Sequence, residues 1–208
     1  MKTLAVELSS AHGSIAWLDD EGETFAWSFS NDRKHSGLFF ENLRLCGQRF
    51  GAADTIVVGL GPGSYAGVRI AIAGAVGLRV ASAAKLVGLP SICAMETAAR
   101  EYRVIGDARR ESFFFGRISN GKMIEGPSLH SQEELGTKVR EGGLPTYASE
   151  PLPQFPVAVL AYPSARRLAE LAHDQVGEIA DTRVLEPIYL REPHITVSKT
   201  TIMSVINR

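Results

Sequence analysis

A glycine-rich turn between an apolar strand and a helix of small residues constrains this fold more than any other feature. Four glycines and one proline follow the β-branched run 55–58 directly. Because glycine adopts positive φ without steric cost, the run predicts a buried strand, a sharp turn and then the start of a helix. The backbone amides at such a start favour an anion. The turn residues are Gly59, Gly61, Gly63, Ser64 and Gly67.

The turn lacks the side chains of common nucleotide loops. A P-loop needs a lysine followed by serine or threonine, and that pair is missing here. In the dinucleotide-binding motif a third glycine belongs where Ser64 stands. Two interpretations remain open, a tight structural turn, which the residues favour, and a nucleotide site.

Charge balance, chain hydropathy and cysteine spacing indicate a cytoplasmic protein. The 22 basic and 23 acidic residues leave a net charge of −1, which gives no electrostatic reason to bind nucleic acid alone. A charge interrupts the N-terminus before a signal-peptide core could form, and no apolar run is long enough to span a membrane. Cys46 and Cys93 lie far apart within helical patterns, so we expect two buried free thiols.

A pattern that occurs twice predicts two lobes. A strand ending in Glu7 leads to a hairpin that closes at Gly22, and a strand ending in Asp107 leads to one that closes at Gly121. Such hairpins, followed by helix-crossed strands, predict duplicated ribonuclease-H-like α/β lobes, of which the second is shortened. The predicted divisions are a first, partner-binding lobe at 1–101, a second lobe at 102–192 and a tail at 193–208.

Periodicity and turn residues predict the remaining elements. A capping box at Ser131 and Glu134 marks one helix start. The predicted helices are 35–50, 68–85, 90–100, 131–141 and 163–175, with strands at 146–149 and 157–161 and an extended segment at 185–192.

Five stretches, in order, resemble the TsaB family of bacterial tRNA threonylcarbamoyladenosine biosynthesis proteins. They are Glu7–Ser10, His35–Ser36, Gly59–Ile70, Asp107–Arg109 and Pro187–Arg191. The resemblance implies a two-lobed actin-like, Hsp70-like fold and a paralogue of TsaD, which transfers a threonylcarbamoyl group to the adenosine beside the anticodon. It also implies a non-catalytic partner of TsaD, in a complex that recruits the ATPase TsaE and through which alone the chain meets tRNA.

Several residues of this chain differ from those that active members of this superfamily use for catalysis. Glu7, Ser9 and Ser10 stand where active relatives hold a phosphate, but the family usually has aspartate in place of Glu7. The histidines are isolated, so no His-x-x-x-His pair presents two imidazoles on one helix face. We therefore expect no catalytic residue, no metal and no cofactor, and an ion-paired turn at Asp107–Arg109. The alternatives are an independent ATP-dependent kinase-like or peptidase-like enzyme, and a homodimeric binding module unrelated to tRNA.

The first-lobe helices at 35–50 and 68–85 are more apolar than a single-sided surface helix requires. An exposed apolar patch marks an association surface, so we predict that these helices dock TsaD, or a second copy when TsaD is absent. The alternative is that the two helices simply cover each other. The predicted contact residues are Leu38, Phe39, Phe40, Leu43, Arg69, Ala71, Ala75 and Leu78.

Overall fold

The first lobe contains a five-stranded mixed sheet. The computed structural model describes residues 1–20, 24–31, 37–174 and 184–191. The strand order is β3-β2-β1-β4-β5, with an antiparallel meander from β1 to β3 and with β4 and β5 parallel to β1. The strands are β1 (Thr3–Glu7), β2 (His12–Leu18), β3 (Thr24–Ser30), β4 (Thr55–Gly59) and β5 (Lys85–Leu89).

The second lobe repeats this order in a second sheet. Its order is β10-β9-β6-β7-β8. When the strands of each lobe are numbered from one to five along the chain, the first sheet has the order 3-2-1-4-5 and the second has the same order in reverse. The prediction of two duplicated α/β lobes is therefore confirmed. With three and two residues, β9 and β10 make this the shorter copy. The strands are β6 (Glu101–Asp107), β7 (Phe113–Ser119), β8 (Lys122–His130), β9 (Thr146–Ala148) and β10 (Val159–Leu160).

Four α-helices occur in the described part of the chain. The capping box predicted at Ser131 is present at the start of α3. Among the described residues, no helix combines the length and apolar character needed to cross a membrane. The predicted helix start at His35 and the tail at 193–208 lie outside the described residues. The helices are α1 (Gly37–Phe50), α2 (Tyr65–Ala81), α3 (Gln132–Arg140) and α4 (Ala165–Asp174).

The helix predicted at 90–100 is wrong. Only a short 3-10 turn forms, at Ser91–Ala94, and β6 begins at Glu101. Residues 91–95 are all buried, so the segment has no polar face, and the Tyr102 hydroxyl donates to the carbonyl oxygens of Ile92 and Cys93. The helix predicted at 68–85 ends earlier, at Ala81, and β5 follows as a strand that the sequence reading missed. In both places tertiary burial overrides local propensity.

One hydrophobic cluster joins the two sheets. It contains Ala5 and Ala16 of the first sheet together with Tyr102 and Phe114 of the second, and the buried face of α4. Although α4 follows the second sheet in the chain, it packs on β1 and β2. The Ser14 hydroxyl accepts a buried hydrogen bond of 2.9 Å from the first backbone amide of α4. The lobes therefore share a core instead of meeting only at an open cleft.

Replacing Ser14 with alanine tests this joint. We expect Ser14→Ala to lower the free energy of unfolding by about 1 kcal/mol, because it leaves a buried helix-start amide without its acceptor. Urea titration followed by circular dichroism measures the change. The matched control is Ser28→Ala, since Ser28 lies opposite Ser14 in the register of β2 and β3 and is exposed. Equal effects from the two variants would contradict the assignment.

Candidate functional site

The glycine turn lies directly against the loop that follows β1. A Cβ atom on Gly63 would lie 2.1 Å from the carbonyl oxygen of Ser9, and one on Gly67 would lie 2.0 Å from that of Leu8. Both distances are far inside van der Waals contact, and both obstacles are backbone atoms. The start of α2 therefore touches the loop backbone to backbone, which only glycine permits.

The protein itself satisfies the carbonyl groups of this loop. The carbonyl oxygen of Ser9 accepts from the Ser64 amide at 2.6 Å. Asn31 Nδ2 donates to the carbonyl oxygens of Leu8 and Ser10 at 2.9 and 2.8 Å. Ser64 also caps α2, because its hydroxyl accepts from the Gly67 amide at 3.3 Å. These contacts favour the structural interpretation of the turn over a nucleotide site.

Gly59 and Gly61, the first two glycines of the turn, have different structural roles. Gly61 adopts φ of +88°, and its amide donates to the Ser91 hydroxyl at 2.9 Å. A Cβ atom on Gly59 would lie 1.8 Å from Oε2 of Glu7. Gly59 therefore leaves room for the Glu7 side chain, while Gly61 turns the chain towards α2.

Glu7 is buried completely at the end of β1. Its Oε1 accepts from the Ser9 amide at 2.5 Å, and its Oε2 has no hydrogen-bond partner among the described residues. Burial raises the pKa of this carboxyl, and the neighbouring Ser9 and Ser91 hydroxyls oppose the shift less strongly. Desolvation therefore disfavours the ionised form of Glu7, which is the form that would bind a metal ion. Ser10, in the same loop, is also buried, and its hydroxyl bonds to the backbone of His12.

The corresponding turn of the second lobe is an ion-paired turn. The Arg109 guanidinium lies 2.9 Å from Oδ2 of Asp107, and the Arg109 amide donates to Oδ1 at 2.6 Å. Arg109, Arg110 and Glu111 adopt φ of 63°, 54° and 57°, so three consecutive non-glycine residues are left-handed. Each costs about 1 kcal/mol or more relative to ordinary backbone. The Ala108 amide closes the turn by donating to the Ser112 carbonyl oxygen at 2.9 Å.

A cleft of about 550 Å³ lies between the two turns. The extended segment Pro187–Arg191 forms its third wall. This segment is held to the first lobe because the Ile188 amide donates to the Leu60 carbonyl oxygen at 2.8 Å and Leu185 is buried in the first-lobe core. The sequence predicts an extended segment here but not its place in the cleft, because an extended run carries no signal for what it packs against.

Half of the predicted partner residues are in fact buried in the first lobe. Their side chains form one hydrophobic cluster in which α1 and α2 pack on the first sheet. The prediction that these residues contact a partner is corrected, since they form the inner faces of both helices. The corrected residues are Phe39, Leu43, Ala71 and Ala75.

The remaining predicted partner residues lie outside this cluster or at its edge. Leu38 and Phe40 are 45% and 47% exposed, and Arg69 is exposed on α2. Leu78 is half-buried. The outer faces carry apolar residues that the sequence prediction omitted, and their helical spacing from Arg69 could have found two of them. These residues are Leu45, Val76 and Val80.

The two thiols are free and buried, as predicted. Burial raises the pKa of Cys46 to about 11 and that of Cys93 to about 12, so neither is a reactive thiolate at neutral pH. Two histidines have other partners: His12 stacks on Tyr162 at 3.8 Å, and His173 lies 3.1 Å from Asp20. In the described ranges, no group of three potential metal ligands converges.

Glycine substitutions test the backbone contact. We expect Gly67→Ala to lower the free energy of unfolding by about 3 kcal/mol, because the new methyl group must displace the Leu8 carbonyl. The control is Gly77→Ala in the same helix, where nothing lies within 4 Å of the added Cβ. That variant should gain about 1 kcal/mol from helix propensity. Chemical denaturation measures both changes, and a loss at Gly77 as large as that at Gly67 would refute the contact.

The buried carboxyl generates a pH-dependent prediction. Since the pKa of Glu7 is raised in the folded state, the free energy of unfolding should fall as pH rises above the ordinary glutamate pKa of 4.5. Glu7→Gln removes this ionisation and should be more stable than the wild type at pH 7. The difference should shrink as pH falls through 4.5 and below it. Denaturation curves across this range check it, and a constant difference would be the contrary result.

One family model and several curated relatives match large parts of this chain. The model of the family described as TsaD, tRNA N6-adenosine threonylcarbamoyltransferase, matches residues 36–139, half of the chain. An uncharacterized protein of Mycobacterium leprae is 31% identical over 149 residues, which cover 67% of this chain and 38% of the relative. An uncharacterized protein of Mycobacterium tuberculosis is 28% identical over 148 residues, which cover 67% and 65%. The chain thus spans less than two thirds of the length of these curated relatives.

Two solved structures from Pseudomonas aeruginosa are similar over nearly the whole chain. YeaZ is 25% identical with a TM-score of 0.72, over 91% of this chain and 99% of the other. A protein described as similar to the peptidase YeaZ is also 25% identical, with a TM-score of 0.74 and the same coverage. Because the match covers 91% of this chain, it extends over both lobes.

Proposed function

Because this chain belongs to the TsaD-related family of TsaB (YeaZ), we propose that it is a non-catalytic scaffold subunit of a cytoplasmic complex that modifies tRNA. In this proposal it acts with TsaD, and with TsaE in a larger assembly. The reaction is the transfer of a threonylcarbamoyl group to the adenosine next to the anticodon. The chain needs no cofactor of its own and contributes a binding surface.

The observation that supports the non-catalytic role is the direct packing of the start of α2 on the backbone of the first phosphate loop. A phosphate loop binds its ligand through free backbone amides with no intruding groups. Here Gly63 and Gly67 pack against the loop backbone, and Glu7 is buried beneath it, where desolvation raises the pKa of its carboxyl. These contacts support a loop whose task is to hold α2.

The outer faces of α1 and α2 form the proposed docking surface. The exposed residues are Leu38, Phe40 and Leu45 on α1 with Arg69, Val76 and Val80 on α2. At about 100° per residue, Leu38 and Leu45 share one flank of α1 and Phe40 lies on the other, whereas the three residues of α2 share one face. Val80, in the last turn of α2, is 85% exposed, a large fraction for an aliphatic side chain. Exposed aromatic and aliphatic side chains fit the composition of protein interfaces. A second copy of the chain would take the same surface when TsaD is absent.

Substitution at the exposed residues tests the docking surface. We expect Phe40→Asp and Val76→Asp each to weaken association with TsaD at least tenfold, because each places a charge in a desolvated contact. Circular dichroism should stay unchanged, since both side chains are exposed. Affinity for purified TsaD, measured by calorimetry, checks the expectation.

The matched control is Ile124→Asp on β8 of the second lobe. Ile124 is 54% exposed, comparable with Phe40, but lies outside the proposed surface. Ala75→Asp is not a useful variant, because Ala75 is fully buried and a charge there would disrupt the fold. If Phe40→Asp binds TsaD as tightly as Ile124→Asp does, the interface lies elsewhere.

The whole proposal is tested by complementation. Expression of this chain in a TsaB-depleted strain should restore threonylcarbamoyladenosine in tRNA, and the Phe40→Asp variant should not. Tight ATP binding or turnover by the purified chain alone would support the kinase-like alternative instead.

A further inference from the structure

Two exposed tyrosines meet at the mouth of the cleft. Tyr65, at the first position of α2, and Tyr189, in the extended segment, are 54% and 44% exposed. Their ring centroids lie 5.7 Å apart at an interplanar angle of 38°. The Arg69 guanidinium lies 5.1 Å from the Tyr65 ring centroid and donates to the Tyr65 hydroxyl. The cation holds the first ring in place and leaves aromatic surface open to solvent.

Two further arginines line the same cleft as this pair. Arg109 lines the cleft from the second lobe and Arg191 from the extended segment. Arg109 is paired with Asp107, whose two oxygens both bond to it, and Oε1 of Glu150 accepts from the Asp107 amide at 3.0 Å. The Arg109 side chain remains 68% exposed. The cleft lining therefore combines exposed tyrosines with guanidinium groups, and the carboxylates of Asp107 and Glu150 belong to the same lining.

We propose that Tyr65 and Tyr189 form a stacking platform for an unpaired nucleobase. An open ring beside guanidinium groups is the arrangement that stacks bases without reading their sequence. The arginines at the rim suit the phosphate that a base carries with it. A purely apolar protein partner fits this rim less well, because tyrosine hydroxyls and guanidinium groups would need polar partners on burial.

This inference rests on the proposed function, which brings an RNA to the complex. A base reaches the platform either as a free nucleotide or as an unpaired residue of an RNA loop, and both use the same stacking chemistry. The net charge of −1 makes binding by the isolated chain weak and dependent on salt. Ser9 and Ser10 of the first phosphate loop line the same cleft as Tyr65 and Tyr189.

The test compares two probes on the full chain. Adenosine monophosphate is titrated by calorimetry, and a fluorescein-labelled RNA stem-loop with an unpaired adenosine is titrated by anisotropy at low salt. Tyr65→Ala and Tyr189→Ala should each weaken binding about tenfold, the loss expected for one stacked base. Tyr65→Phe keeps the ring and should restore most of the affinity. Trp27→Ala, which removes another exposed aromatic that does not line the cleft, should bind as the wild type does.

The outcomes separate the two sources and the two proposals. Binding of the stem-loop alone assigns the platform to RNA, and binding of both probes assigns it to the base itself. Failure of the wild type to bind either probe, or equal binding by Tyr65→Ala, overturns the platform. Measuring the affinity of Tyr65→Ala for TsaD in parallel distinguishes the two proposals. If the variant binds TsaD normally but does not bind RNA, the scaffold role stands. If it no longer binds TsaD, Tyr65 belongs to the protein interface and this inference is overturned.

Discussion

The first lobe depends on a direct contact between two stretches of backbone. Gly63 and Gly67 lie on one side of this contact, and Leu8 and Ser9 lie on the other. It fixes where α2 begins and how closely that helix approaches β1. Any side chain at these two glycines would separate the elements by more than an ångström, because backbone oxygens cannot move aside as a flexible side chain can. The inner face of α2 then reaches the first-sheet core through alanines, which leave room for Phe39 of α1.

The same contact changes the chemistry of the loop. In a phosphate site the loop amides stay free and a carboxylate nearby remains ionised to serve a metal. Here the loop carbonyls are bound by Asn31 and Ser64, and the carboxyl beneath them is sealed from water, which raises its pKa. Desolvation dominates because the few hydrogen bonds to Glu7 replace little of its lost hydration. The loop thus packs against the start of α2, while Ser9 and Ser10 also line the cleft.

The sequence predicted the two hairpins, their duplication and the capping box, since each rests on local alternation or on turn residues. It failed at 90–100, where five consecutive buried residues look like a helix but sit between the lobes as a short turn. The predicted contact residues also mixed the two faces of α2, although helical spacing from the exposed Arg69 places Val76 on the outer face. Ala71 is buried because α2 packs on β4 and β1, whereas Val76 is exposed. Contacts between distant segments, such as Ile188 with Leu60, leave no local pattern.

The helix α2 connects every feature that the proposals use. Its first residue carries the tyrosine of the cleft rim, its inner face completes the core, and its outer face carries the proposed docking surface. From Tyr65 to Val76 the helix advances about 17 Å at 1.5 Å per residue. A partner seated on the outer face therefore ends close to the stacking platform. Because the lobes share a core through α4, this distance is set by packing and does not depend on closure of the cleft. A rigid spacing between a partner and a base-binding rim is what a scaffold needs to present one RNA position to a neighbouring catalytic subunit.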